Sequence, residues 1–347
     1  MKRTTKRLLI IGPSNGCYGG MEGFMIAVAQ AAAAWPEFEV KLCFKLVKTE
    51  RPEEGLRRLA EDACKKVYYV QRASIDLLKL VAWADILHVQ NPPADVVFAA
   101  KLMGKKIFLT VHNRHVPVFS LHNVLWRIAI KLSYRRWYNS NFVWNTWEPE
   151  KKSIKSGCVY TVCNLPQAWC PPEQRKGFLF VGRWIPKKGI QEIIKAYAQN
   201  KFNAADWPLT ILGDGPLREE VMTLIKDLGL TKILLPGFIN EDEKAKYISS
   251  ARWLLAPALT LEDLGLTPIE ARSVGVPAIV TRDGGLPESG GPAALIAEPG
   301  NVEDLARCMM IAATMDEAKY TQRGELAKRS LKDFLQPMSF YREAYLA

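Results

Sequence analysis

Two glutamates, Glu262 and Glu270, stand seven residues apart in the run Leu261-Glu-Asp-Leu-Gly-Leu-Thr-Pro-Ile-Glu-Ala271. Thr267, Pro268 and Glu270 have the spacing of a helix start, with Thr as cap, Pro at the first helical position and Glu closing a capping box. On that reading Glu270 only satisfies backbone N–H groups. The same turn has a chemical reading. The first amides of a helix, here those of Gly265, Leu266 and Thr267, lack partners inside it and can bind a phosphate oxygen. Glu262, before the turn, can then accept hydrogen bonds from sugar hydroxyls, and Glu270, one turn inside, from a ribose diol. The residues by themselves leave both readings open.

Cations stand in a second loop, Gly182-Arg-Trp-Ile-Pro-Lys-Lys-Gly189. Arg183 as a planar fork and Lys188 as a point charge could both address one diphosphate; two solvated cations are the alternative. Asp214, between Gly213 and Gly215 and ahead of Pro216, suits a tight βα turn. The segment Gly12–Glu22 matches neither GxGxxG nor GxxxxGK[ST], which argues against a dinucleotide fingerprint and a P-loop. Gly19 and Gly20 nevertheless precede a helical stretch, where glycine lets a ligand approach the backbone, or simply makes a tight turn. The histidines at 88, 112, 115 and 122 and the cysteines at 17, 43, 64, 158, 163, 170 and 308 show no metal-ligand spacing, and no Asp-x-Asp occurs. The cysteines are read as reduced thiols of a cytosolic protein.

What would position these loops is a repeated β-α rhythm. Strand-like runs at Leu8–Ile11, Val40–Phe44, Asp85–Val89 and Lys106–Val111 alternate with helical stretches such as Glu22–Ala34. The rhythm restarts with strands at Phe178–Val181, Leu209–Leu212, Ile233–Leu235, Trp253–Ala256 and Ala278–Val280, and helices at Ile190–Gln199 and Leu217–Leu228. This predicts an α/β chain of two doubly wound parallel-sheet domains, with ligands at the carboxyl ends of the strands and a cleft where the sheets face each other. A length of 347 residues suits two domains, and the polar, Pro-containing stretch 169–175 reads as the hinge.

In number, order and spacing these segments resemble the retaining glycosyltransferases of family 4, which have the GT-B fold, over nearly the whole chain. Gly19-Gly20-Met21-Glu22 looks like the family's first glycine loop, Asp85-Ile-Leu-His88-Val like its Asp-hydrophobic-hydrophobic-His strand, and Thr110-Val-His112-Asn113 like its TxHD turn. Val181-Gly-Arg183 through Lys188-Gly189, Gly213-Asp-Gly-Pro216, the E-x7-E from Glu262 to Glu270, and Gly284-Gly-Leu-Pro-Glu288 complete the likeness. Asn113 replaces the usual Asp, and Leu264 stands where Phe is commoner. The resemblance implies an acceptor-binding domain over 1–170, a donor-binding domain over 171–330 and a C-terminal helix, 331–347, packing back on the first domain. It gives Arg183 and Lys188 to the donor diphosphate, with Gly265, Leu266 and Thr267 supporting it. Glu270 would hold the ribose, Glu262 the transferred sugar, and Phe238 and Ile239 the base. Asp214 belongs to the donor loops, His112 lies near the reacting carbon, and Gly19 and Gly20 beside the phosphate. The implied activity is metal-independent, cofactor-free hexosyl transfer from a UDP- or GDP-sugar with retention. A nucleotide-sugar epimerase of the same fold and a non-catalytic binding subunit are the competing readings.

Charge is uneven. Residues 1–170 hold 25 Lys and Arg against 13 Asp and Glu, a net +12, whereas 171–347 hold 22 against 23, a net −1. Such asymmetry points to an anionic partner for the first half, with a merely solubilising surface as the alternative. No nucleic-acid motif occurs, so a membrane surface is preferred. Trp126–Tyr138 mixes cations with aromatics and is predicted to be a basic amphipathic helix, helped in docking by Lys2, Arg3, Lys6, Arg7, Lys65, Lys66, Lys105 and Lys106. The acceptor would then be a saccharide, lipid-linked, as in bacterial surface-polysaccharide assembly. With no run of ~18 apolar residues, the expected location is cytoplasmic, peripheral on the inner face of the plasma membrane.

Overall fold

The structure, a computed structural model, describes residues 5–47, 51–160, 165–203 and 205–347. Lys2, Arg3 and Cys163 lie outside the described residues. The chain forms two compact units, one of residues 1–164 with 335–347 and one of 165–334. The first alternates β1 (Lys6–Ser14), α1 (Gly20–Ala33), β2 (Phe38–Leu46), α2 (Glu54–Ala63), β3 (Val67–Gln71), α3 (Ile75–Trp83), β4 (Ile86–Gln90), α4 (Ala94–Leu102), β5 (Lys106–Val111), α5 (Leu121–Leu132), β6 (Arg135–Tyr138), α6 (Asn141–Trp147) and β7 (Ser156–Cys158). The second repeats the plan with β8 (Lys176–Val181), α7 (Ile190–Asn200), β9 (Leu209–Leu212), α8 (Arg218–Asp227), β10 (Ile233–Gly237), α9 (Glu241–Ser250), β11 (Ala251–Ala256), α10 (Leu266–Ser273), β12 (Ala278–Thr281), α11 (Leu286–Gly290), β13 (Leu295–Ala297), α12 (Val302–Ala313) and α13 (Glu317–Phe334). The chain then returns to the first unit as α14 (Ser339–Leu346).

Both sheets are parallel among the described residues, in the orders β3-β2-β1-β4-β5-β6-β7 and β10-β9-β8-β11-β12-β13. Each order reverses direction once, between β1 and β4 and between β8 and β11. That switch point is where the loops leaving two adjacent strands diverge and open a crevice. The strands are apolar on both faces, as a sheet covered by helices on each side requires. Leu8 and Ile10 enter one core while Leu9 and Ile11 enter the other; Phe178 and Phe180 likewise oppose Leu179. Tyr341 and Tyr345 of α14 complete the core over α1, with the Tyr345 hydroxyl 2.6 Å from Nδ1 of buried His88.

Two expectations are corrected. Residues 126–138 are not one helix: α5 ends at Leu132, and Arg135–Tyr138 is strand β6. Trp137 and Tyr138 are buried, and half-buried Trp126 stacks on Trp147. The Arg136 guanidinium is buried on Glu148, 2.7 Å away. A 3.6-residue period fits such a short mixed run as readily as an alternation does, and burial in the sheet decided between them. The stretch 169–175 is likewise no free hinge. Buried Arg175 donates to the carbonyls of Val274 (2.7 Å), Gly275 and Cys170, and the chain changes units at 164/165 instead.

Burial pushes the Glu148 carboxyl up, but hydrogen bonds from Ser153 N–H, Arg136, Ser156 and Trp144 outweigh it and bring it down to about 2. A depressed acid stabilises above its unfolded value and loses that contribution as pH falls through the folded one. Glu148→Gln is therefore expected to flatten the acid limb of the stability curve between about pH 4.5 and 2, measured by urea melts across that range.

Candidate active site at the switch points

In the second unit the loops after β8 and β11 meet backbone to backbone. Gly189 has φ 84°, and a Cβ there would lie 2.1 Å from the carbonyl oxygen of Pro257. Only glycine allows that approach. It brings the Lys188 ammonium into an ion pair with Glu262, whose carboxylate also accepts from the Thr260 hydroxyl at 3.2 Å. The backbone beneath Glu262 is held from below. Buried Asp283 accepts the amides of Leu261 (3.0 Å) and Glu262 (2.8 Å), and the amide of Gly285 donates to the Glu262 carbonyl at 2.7 Å. Gly284 packs so closely that a Cβ would stand 2.1 Å from that carbonyl oxygen. The Gly284-Gly285 pair is thus a seat for the glutamate loop.

The capping box expected at Thr267 is absent. Gly265, with φ 86°, is the N-cap, no side chain caps the helix, and α10 starts at Leu266. Thr267 and Pro268 are therefore second and third helical residues, and Glu270 is fifth. The positive φ of Gly265, against the Leu286 side chain, turns the chain earlier than a Thr cap would. Pro268 fits because its missing N–H falls among the unbonded first-turn positions anyway. The amides of Gly265, Leu266 and Thr267 remain without intrahelical acceptors, one loop away from Lys188. A capping box does form at α9, where Asn240 and Glu243 satisfy each other's backbone N–H groups.

Helix α9 carries Lys244, whose ammonium lies 3.0 Å from Glu270 and 2.6 Å from Glu241. Burial pushes the Glu270 carboxyl up against the pull of Lys244. Burial lowers the Lys244 ammonium, but Glu270 and Glu241 outweigh it. The second oxygen of Glu270, Oε2, is buried with no hydrogen-bond partner among the described residues. A buried unsatisfied acceptor costs about 1–3 kcal/mol.

The remaining donor-side candidates sit around this centre. Arg183 is exposed and has no ion pair among the described residues. The neighbouring Trp184 is buried and threads beneath Gly213 and Gly215, where added Cβ atoms would come within 1.9 Å of Gly182 O and 2.5 Å of Trp184 O. Asp214 works inside its own turn, accepting from Gly215 N–H (2.8 Å) and pairing with Arg218 (2.9 Å). Phe238 follows β10 and is 89% exposed, with Ile239 half-buried beside it.

The first unit assembles its candidates at its own switch point. Gly19 caps α1 and Gly20 opens it, after β1. His112, after β5, is buried; its Nε2 lies 3.0 Å from Gln90 Oε1, its amide donates to Asn91 Oδ1 at 2.9 Å, and its ring meets Phe24. An amide oxygen only accepts, so Nε2 carries the proton and Nδ1 is the acceptor. Burial brings the imidazole down to about 3, so it is neutral at working pH. Asn91 also donates to Asn113 at 3.3 Å.

Sequence reasoning missed Lys244, Asp283 and the Gln90–Asn91 pair. Asp283 had a signal, an acid directly before Gly-Gly. Lys244 had none, being one lysine in a charged helix.

Residues 164–329 match the family model described as Glycosyl transferases group 1. The chain is 33% identical over 131 residues to the 2-deoxystreptamine glucosyltransferase of Streptomyces kanamyceticus, covering 37% of this chain and 34% of that one. It is 26% identical over 290 residues to the N-acetyl-alpha-D-glucosaminyl L-malate synthase of Bacillus anthracis, covering 78% and 73%. The first of these alignments thus spans about a third of the relative's length. The fold matches that of Anabaena Alr3699/HepE, crystallised with UDP and glucose, at a TM-score of 0.79 and 16% identity over 98% of both chains.

Proposed function

Because the chain belongs, through residues 164–329, to the group 1 glycosyl transferases, we propose that it is a retaining hexosyltransferase moving sugar from a nucleotide-diphosphate sugar to a saccharide acceptor. The observation that carries this is the meeting of Lys188, Glu262 and the open amides of α10 at the switch point of the second unit. Breaking an anomeric bond places charge on the departing diphosphate, and fixed cations and oriented amides stabilise that charge without reorganising. Lys188 and Arg183 supply the cations, and Gly265, Leu266 and Thr267 the donors. Glu262 takes hydroxyls of the transferred sugar, Glu270 a ribose hydroxyl on its unused oxygen, and Phe238 and Ile239 the base. For the first unit, the residues we propose for sugar transfer are Gly19, Gly20 and the neutral His112, a hydrogen-bonding group.

UDP-glucose is the first donor to try, since the HepE structure holds UDP and glucose. The relatives' acceptors are as different as 2-deoxystreptamine and L-malate, so the acceptor is read from this chain's own first unit. Its positive charge supports a lipid-linked saccharide of surface-polysaccharide assembly, met at an anionic membrane surface. No helix among the described residues is long and apolar enough to cross a membrane.

The test is a thermal-shift series with UDP-, GDP- and ADP-sugars, followed by product analysis. One donor at ~100 times its Kd should stabilise by about 2.7 kcal/mol, a shift of several degrees. Nucleotide release with a sugar joined in retained anomeric configuration is expected. An epimerised nucleotide sugar from donor alone would overturn transfer, and no shift with any donor would overturn the donor site.

A further inference from the structure

We infer that a lysine-lined hollow at the amino ends of β5–β7 holds the phosphate headgroup of an anionic membrane lipid. The inference rests on the membrane reading above and gives it a site. Lys101, Lys105, Lys106, Lys131 and Lys155 line one hollow of about 450 Å³ together with Tyr134, and no carboxylate lines it. It lies at the amino end of β5 and His112 follows the carboxyl end, so the catalytic constellation does not account for it.

Local structure accounts for only part of this charge. Lys101 and Lys131 stand in the last turns of α4 and α5, where a helix end offers about half a negative charge. Lys105 reaches the carbonyl of Ala82 at 2.8 Å, and Lys106 lies 4.3 Å over the Tyr134 ring. None of the five pairs with a carboxylate among the described residues. Two half-charges against five ammonium groups leave about four positive charges converging on one concavity. Such a grouping repels itself unless an anion enters it.

The surroundings select a lipid over a free phosphate. Half-exposed Tyr134 lines the hollow, and Leu102, 90% exposed, and half-exposed Met103 stand in sequence between its lining residues Lys101 and Gly104. Exposed Leu121, Val124 and Ile128 form one stripe along α5, leading to Lys131 in its last turn. Val118 and Phe119, the latter 95% exposed, continue that stripe toward the loop after His112. Apolar side chains beside lysines are the pattern of an interfacial helix on an acidic bilayer. The stripe spans about 15 Å, ten residues at 1.5 Å each, and links the lysine hollow to the sugar-transfer end of the unit.

The full chain and a Lys101→Gln/Lys131→Gln/Lys155→Gln variant are to be sedimented with phosphatidylcholine vesicles, with and without phosphatidylglycerol. A Lys226→Gln/Lys232→Gln/Lys328→Gln variant, with exposed lysines of the second unit, controls for net charge, and donor-induced thermal shifts control for folding. Binding of the unaltered chain should require phosphatidylglycerol. The hollow variant should lose on the order of 100-fold in partitioning, each surface lysine being worth roughly fivefold, while the control keeps most of it. Equal loss in both variants, or none in the hollow variant, overturns the hollow but leaves membrane docking standing. No binding of the unaltered chain overturns both. Protection by free inorganic pyrophosphate as strong as vesicle binding would assign the hollow to a soluble anion and overturn the lipid.

Discussion

Lys188→Ala is expected to lower kcat by about 10²- to 10³-fold, the scale seen when a fixed stabiliser of developing charge is removed. The loss should fall on kcat more than on KM, because the diphosphate gains charge only as the anomeric bond breaks. The ion pair with Glu262 offers a competing explanation, in which Lys188 merely positions that carboxylate. Arg183 separates the two. It is exposed, with no ion pair among the described residues, so Arg183→Ala leaves Glu262 and the melting temperature untouched. If both cations act on the leaving group, Arg183→Ala also costs about 10²-fold. Initial rates of nucleotide release with a matched donor decide the question, and near-normal rates in both variants would remove the cation role.

The β-α rhythm was legible because parallel strands buried on both faces are short apolar runs with turn residues between them. Lys106–Val111 and Leu209–Leu212 carry the same bounds in the structure as in the sequence reading. β6 was misassigned because Arg135 and Arg136 interrupt its apolar character, and nothing near them in sequence shows that Glu148 waits to neutralise Arg136. The site divides in the same way. Residues whose role depends on their own turn, such as Gly189 and Gly265, leave local signatures in glycine at a loop-to-helix junction. Residues that reach the site from another element do not. The Thr-x-x-Glu spacing was a true local pattern that lost to tertiary geometry: Gly265 turned the chain first, and Lys244 on α9 claimed the glutamate. Where a cap and a ligand-binding acid share one spacing, the partner on the neighbouring helix decides.

That partner makes Glu270 the second large effect. Glu270→Leu removes one member of a buried pair and leaves the Lys244 ammonium only the more exposed Glu241 as partner, a loss of about 1.5–3 kcal/mol in stability. It also removes the buried Oε2, which has no partner among the described residues and is proposed to take a ribose hydroxyl. A charged hydrogen bond of that kind contributes about 1.5–3 kcal/mol, so donor affinity should fall about 10- to 100-fold. The two consequences come apart in Lys244→Met/Glu270→Leu. With no half-buried ammonium short of a partner, this double variant should regain most of the lost stability in urea melts, while donor affinity stays low. Titration with a donor lacking a ribose hydroxyl supplies the remaining corner of the cycle. Losing that hydroxyl should weaken binding to the unaltered protein and leave binding to the double variant nearly unchanged. An equal penalty in both proteins would mean that the hydroxyl is met elsewhere and that Glu270 serves only to hold Lys244 and α9 in place.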